Sequence, residues 1–144
     1  MALTVKRVRA FDPMLLQQLF SESGSTTISP NPAFFEDRKN ILLVAYEGLR
    51  PCGFLCGYLL TSLRVQSPKL FLYSIDVAPE YRRRGAGTLL ISELTSIARD
   101  NSCSEIFVLS NKSNNAAVRL YERTGGRPEN PDDVMFVYRL EQSA

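Results

Sequence analysis

The residues best suited to chemistry lie in Asp76-Val77-Ala78-Pro79-Glu80-Tyr81-Arg82-Arg83-Arg84-Gly85-Ala86-Gly87-Thr88, where three arginines and two glycines join an apolar run to an amphipathic one. Gly85 and Gly87 allow a backbone to approach a ligand with no Cβ in the way, and Arg82, Arg83 and Arg84 add positive charge. A helix starting here leaves amides such as those of Ala86, Gly87 and Thr88 without intrahelical partners and carries the positive end of the macrodipole, so an anion docks readily. The expected anion is a pyrophosphate. No GxxxxGK[ST] loop occurs, and no GxGxxG fingerprint stands early in the chain with an acid roughly twenty residues on, so the two commonest nucleotide-phosphate motifs are excluded. A plain strand-to-helix turn with solvated arginines is the competing reading of this stretch.

Composition removes other chemistries. The 144 residues contain no histidine, which excludes Ser-His-Asp and Cys-His catalysis and any His-ligated metal. Cys52, Cys56 and Cys103 lack CxxC spacing, so no metal site and no disulfide framework is expected, and the set reads as reduced thiols in a cytoplasmic protein. Cys52 and Cys56 stand four apart and should share one strand face as small apolar fillers. With 17 basic against 15 acidic residues, the net charge of +2 does not indicate a nucleic-acid binder. No apolar run approaches the roughly 18 residues needed to span a membrane, so no membrane partner is expected.

The elements that would position the turn follow from periodicity. Leu70–Val77 is rich in aromatic and β-branched residues and reads as a buried strand, with Gly87–Asp100 a one-faced helix after it. Upstream, Leu3–Arg9 reads as a strand. Asp12 and Pro13 are an N-cap and N1 pair for a helix to about Ser21. Ser21–Pro32 reads as a loop, and Pro32–Arg38 as a short helix whose Glu36 and Asp37 are either a solvated face or contacts for a cationic substrate. Ile41–Tyr46 and Cys52–Leu63 form a hairpin. Downstream come a strand over Ser104–Ser110 buried on both faces, a helix from Asn111–Asn115 to the stop at Gly125-Gly126, a polar loop and a last strand over Val134–Leu140. A short strand near Gly126 and Arg127 would make a seventh. The expectation is one domain, 1–144, of α/β class, with a mixed sheet of six to seven strands flanked by helices on both faces.

Two patterns then identify a family resemblance. Arg82-x-x-Gly85-x-Gly87 resembles the acetyl-CoA loop of the GNAT N-acetyltransferases, and Asn114-x-x-Ala117-x-x-Leu120-Tyr121-Glu122-x-x-Gly125 resembles their second signature. Phe71-Leu72-Tyr73, the stretch Leu120–Gly126 and Asp132-Asp133-Val134-Met135-Phe136 resemble the aminoglycoside 3-N-acetyltransferase-like branch.

The resemblance implies splayed strands forming a slot for acetyl-CoA, with the pantetheine arm on the backbone of Ile75 and Val77 and an oxyanion donor at the Val77 N–H, a contribution of roughly 3 kcal/mol in comparable sites. It implies Tyr121 as general acid, against one more core aromatic, and Asn114 as a CoA contact, against a plain N-cap. At the position of Ser74 it implies an acid, which this chain lacks; Asp76, two residues on and on the same face of a regular strand, either replaces it as base or braces the turn. Asp132 and Asp133 either hold substrate ammonium groups or are solvated. The implied function is acetyl transfer from acetyl-CoA to a primary amine of a small polycation such as an aminoglycoside. The alternatives are a protein or peptide N-acetyltransferase and a non-catalytic acyl-CoA-binding module. A homodimer is expected by analogy with the family.

Overall fold

The protein is described by a computed structural model covering residues 2–22 and 29–141. The loop expected over Ser21–Pro32 falls largely on residues 23–28, outside the described residues.

Five strands, β1 (Leu3–Arg7), β2 (Asn40–Glu47), β3 (Arg50–Leu60), β4 (Lys69–Val77) and β5 (Glu105–Val108), form one sheet in sequence order. The first four pair antiparallel through short connections. β4 and β5 run parallel, and α2 (Ala86–Asp100) makes the crossover that a parallel pair requires.

β2 shows how the sheet is sandwiched. Ile41, Leu43 and Ala45 join one buried cluster with Leu90 and Leu94 of α2, while the alternate residues Leu42 and Val44 join a second cluster with Leu16 and Leu19 of α1 (Pro13–Glu22). The period of two thus delivers each residue to one of two helical layers. α1 starts as its cap residues dictate, the Leu15 N–H donating to Asp12 Oδ1 over 3.1 Å. The short helix expected near Phe34 is one 3₁₀ segment, Pro32–Glu36, capped by Asn31. α3 (Asn115–Arg123) closes the set.

The sheet has five strands among the described residues, fewer than the six to seven expected. Val134–Leu140 has strand-like composition but no ladder partner, and a strand exists only through its partner; Gly126 and Arg127 are likewise outside any strand. β5 is the last strand and only partly buried, because among the described residues no strand pairs with its outer edge. Cys52 and Cys56 do not share a face. Ala45 pairs with Gly53 and Tyr46 with Pro51, so Cys52 is an extra residue in a β-bulge. It turns into the α2-side cluster, while Cys56 lines a cavity on the opposite face.

Candidate active site

The turn after β4 is held from below by a compact polar network. Tyr81 is buried, and its hydroxyl donates to Glu47 Oε1 over 3.1 Å. Arg84 pairs with Glu47, and Arg50 with Glu80. The Arg84 and Arg50 guanidinium carbons sit 4.8 and 5.3 Å from the Tyr81 ring centroid. The Arg84 and Tyr81 hydrogen bonds hold the Glu47 carboxyl below its ordinary range. The β2–β3 hairpin therefore anchors the turn.

The three arginines have different tasks. Arg82 Nε donates to the Val77 carbonyl over 3.2 Å, and Arg84 is committed to Glu47. Arg83, exposed and at φ 65°, has no ion-pair partner among the described residues. Gly85 is left-handed at φ 89°, and a Cβ there would meet nothing within 4 Å. Its carbonyl accepts the Leu89 N–H over 3.0 Å, so the amides of Ala86, Gly87 and Thr88 lie ahead of the first intrahelical bond, with no side-chain cap. Open space, amides with no partner among the described residues, and Arg83 together fit an anion. Gly87 has another duty as well: a Cβ there would come within 3.0 Å of Leu120, so it allows α2 and α3 to pack closely.

Beside the turn, the sheet opens. β4 pairs with β5 only from Lys69 to Leu72, so among the described residues Tyr73–Val77 has no ladder partner on that side, as the expected slot requires. A second bulge falls at this point, with Ser74 opposite Cys56 and Leu72 opposite Gly57, leaving Tyr73 unpaired. Beyond it Ile75 and Val77 pack against the α2-side core, and Ser74 and Asp76, opposite Cys56 and Phe54, share the other face.

On that face is a cavity of about 350 Å³. Ser74, Cys56 and Asn31 contribute polar atoms to walls that are otherwise mostly aromatic. Burial raises the Cys56 thiol and the Tyr58 phenol above their usual ranges, which keeps both protonated. Asp76 shares the face but is not part of the lining; burial raises its carboxyl, while the Val77 N–H and Arg82 act in the opposite sense.

Tyr121 approaches from the other layer. It packs against the α2-side core, and burial raises its phenol, so it carries its proton at neutral pH. Asn114 is the α3 N-cap, accepting the Ala117 N–H at Oδ1 over 3.2 Å. Glu36, Asp132 and Asp133 are exposed, and none belongs to the cavity wall: Glu36 ends the 3₁₀ segment whose Phe34 and Phe35 turn inward, and the two aspartates stand in the loop after α3. The structure thus brings Ser74 to the cavity and leaves those three carboxylates outside it. The aromatic walls and the Glu47–Tyr81–Arg84 anchor were not anticipated, since alternating aromatics give the face of a strand and not what converges on it.

Residues 11–126 match the acetyltransferase (GNAT) family. Thialysine N-epsilon-acetyltransferase of Sus scrofa is 32% identical over 75 residues, 52% of this chain and 44% of that protein, so the chain matches less than half the length of this relative. The aminoglycoside acetyltransferase meta-AAC0020 from an uncultured soil metagenomic sample, solved in complex with sisomicin, superposes with a TM-score of 0.87 at 21% identity, covering 96% of this chain and 97% of that one. The aminoglycoside acetyltransferase HMB0005, also from an uncultured soil metagenomic sample, gives a TM-score of 0.83 at 26% identity over 96% of this chain and 100% of that one.

Proposed function

The chain belongs to the acetyltransferase (GNAT) family, and from that membership we propose that it transfers an acetyl group from acetyl-CoA to the primary amine of a small molecule. The observation that carries this reading is the coincidence of two features at the end of β4: a strand edge left open beyond Leu72, and an uncapped helix N-terminus at Gly85. When bound, acetyl-CoA supplies an activated acetyl thioester.

The chain's residues do the rest. Arg83 and the amides of Ala86, Gly87 and Thr88 hold the pyrophosphate, with Arg84 bracing the turn through Glu47 and Arg82 fixing it at Val77. The open edge at Ile75 and Val77 orients the pantetheine arm, and Asn114 borders it. The Val77 N–H stabilises the developing oxyanion. As the amine nitrogen bonds to the carbonyl carbon and the C–S bond breaks, nitrogen gives up one proton and the Tyr121 phenol delivers one to sulfur. Asp76, or water held by Ser74, takes the amine's proton. The likeness to aminoglycoside acetyltransferases places polycationic amines on the panel of acceptors, with Glu36, Asp132 and Asp133 as their outer contacts. We read the protein as a cytoplasmic homodimer; the exposed apolar run Val134–Leu140 supports the pairing.

The test is thiol release from acetyl-CoA over a panel of amines, with CoA affinity measured in parallel for the parent and Tyr121→Phe. Turnover in the parent, lost in Tyr121→Phe with CoA affinity retained, is the expected result. Ser74 standing where an acid is expected favours one second reading, a non-catalytic acyl-CoA-binding module; CoA binding with no turnover on any amine would establish it.

A further inference from the structure

The nature of the acceptor is written in the cavity beside Ser74. Six rings line it: Phe20, Phe34, Phe35, Phe54, Tyr58 and Tyr73. They fix one another edge to face, Phe20 against Phe54 at 5.3 Å, Phe34 against Tyr58 at 6.0 Å and Tyr58 against Tyr73 at 5.7 Å. Such contacts pre-form a wall for a flat apolar guest. No Asp or Glu stands in the lining among the described residues. The volume of about 350 Å³ lies at the low end for small-molecule sites, roughly 300 to 1,000 Å³. It admits one ring and a short arm.

Charge decides between amines. A polycation entering these walls would desolvate several ammonium groups with no carboxylate among the described lining residues to receive them. A single ammonium can pass over the Tyr58 and Tyr73 rings and be held there. Low-polarity walls also lower the pKa of an amine, releasing the neutral form that attacks a carbonyl. A carboxylate in the wall would hold the ammonium instead. The serine at position 74 accordingly suits a monoamine better than it suits a polycation.

We propose, resting on the reading of the chain as an amine acetyltransferase, that the acceptor is a primary monoamine on a flat apolar group, an arylalkylamine, its ring among the six aromatics and its nitrogen at Ser74. The reaction balances as an ordinary transfer: the N–C bond replaces the C–S bond, and the proton lost by nitrogen is matched by the one gained by sulfur.

The experiment measures binding and turnover separately. Phenethylamine, spermidine and neamine are titrated by calorimetry into the CoA-loaded protein and into its Tyr73→Ala and Tyr73→Phe variants, and acetyl transfer to each amine is followed by thiol release. Tyr73 is 61% exposed, so its truncation does not threaten the fold. Phenethylamine should bind at least about tenfold more tightly than either polycation, lose about tenfold in Tyr73→Ala and keep its affinity in Tyr73→Phe. Equal or tighter binding of spermidine or neamine, indifference to Tyr73→Ala, or no phenethylamine binding would overturn the assignment. Preferred acetylation of a polycation would overturn it while leaving the transferase reading intact. Phenethylamine bound as expected, with none of the three amines acetylated, would uphold the cavity assignment and sink the transferase reading.

Discussion

Tyr73 and Ser74 are adjacent on one strand and yet line the same cavity. Neighbours on a regular strand face opposite ways, and the bulge that leaves Tyr73 without a partner on β3 removes that constraint. It also inverts everything downstream. Without it, Ser74 and Asp76 would point with Leu70 and Leu72 into the α2-side core; with it, Ile75 and Val77 take that place. Bulges re-aim side chains beside active sites in this way.

Asp76 is the first residue to test on that face. Its carboxyl is raised by burial, so the native state binds a proton more readily than the unfolded chain. A raised pKa contributes stability that is present at acid pH and lost as pH rises through the folded value. Asp76→Asn should therefore melt at the same or a higher temperature at neutral pH. If Asp76 is the base, the variant loses about 100-fold in kcat with CoA affinity unchanged. The parent's acid limb would then lie above the ordinary aspartate value of about 3.9. Unchanged turnover in Asp76→Asn would leave Asp76 only a brace for the turn.

Gly85 and Gly87 should fail differently. Gly85→Ala forces a Cβ residue to φ 89° but meets no neighbouring atom. It should cost about 1 kcal/mol of stability and weaken CoA binding by placing a methyl group in the anion's space. Gly87→Ala drives a Cβ to 3.0 Å from Leu120, so its loss should appear mainly in the melting temperature, by about 1–3 kcal/mol, and be partly restored by Leu120→Val. Calorimetric CoA affinity beside thermal melts separates the two; equal effects of both variants on both readouts would refute the division.

The hairpin, the α2 face and the phosphate turn were legible because each is local: Gly48 takes φ 61° in a two-residue turn, and Leu90, Leu94 and Ile97 repeat at helical spacing. The relation of Ser74 to Asp76 was legible too, but not the face they share, because that depends on a bulge answered across the sheet at Cys56 and Gly57. Convergence was out of reach for the same reason. Phe34, Tyr58 and Tyr73 meet through tertiary packing, and the carboxylates proposed for substrate, Glu36, Asp132 and Asp133, are distinguished from cavity residues only by where their backbone runs. For Val134–Leu140, composition alone named a strand that has no ladder to join.

Glu47 links the turn to pH. Its pKa is depressed by the hydrogen bonds from Arg84 and Tyr81, so the stability it contributes is present above its unfolded value and is lost as pH falls through the folded one. CoA affinity should therefore fall only on acidification below the ordinary glutamate range, and Glu47→Gln should carry that loss to neutral pH by loosening Arg84. Tyr81→Phe, which removes one hydrogen bond and keeps both guanidinium stacks, should lose less. A Glu47→Gln protein with parental CoA affinity from pH 4 to pH 8 would show that the anchor does not govern the turn.

The run from Val134 to Leu140 leaves Val134, Met135, Phe136, Val137, Tyr138 and Leu140 between 50% and 88% exposed. An exposed, contiguous apolar stretch of this kind marks a surface that is covered in use. The structure also has, among the described residues, an unpaired outer edge at β5 and a helix, α3, with no buried residue. On the homodimer reading, each run adds to the other copy's open edge as an isologous pair. Sedimentation should show a dimer at micromolar concentration, and Phe136→Asp with Tyr138→Asp should convert it to a monomer that keeps CoA affinity, since neither residue touches the phosphate turn. A parent protein that sediments as a monomer throughout that range would refute the pairing.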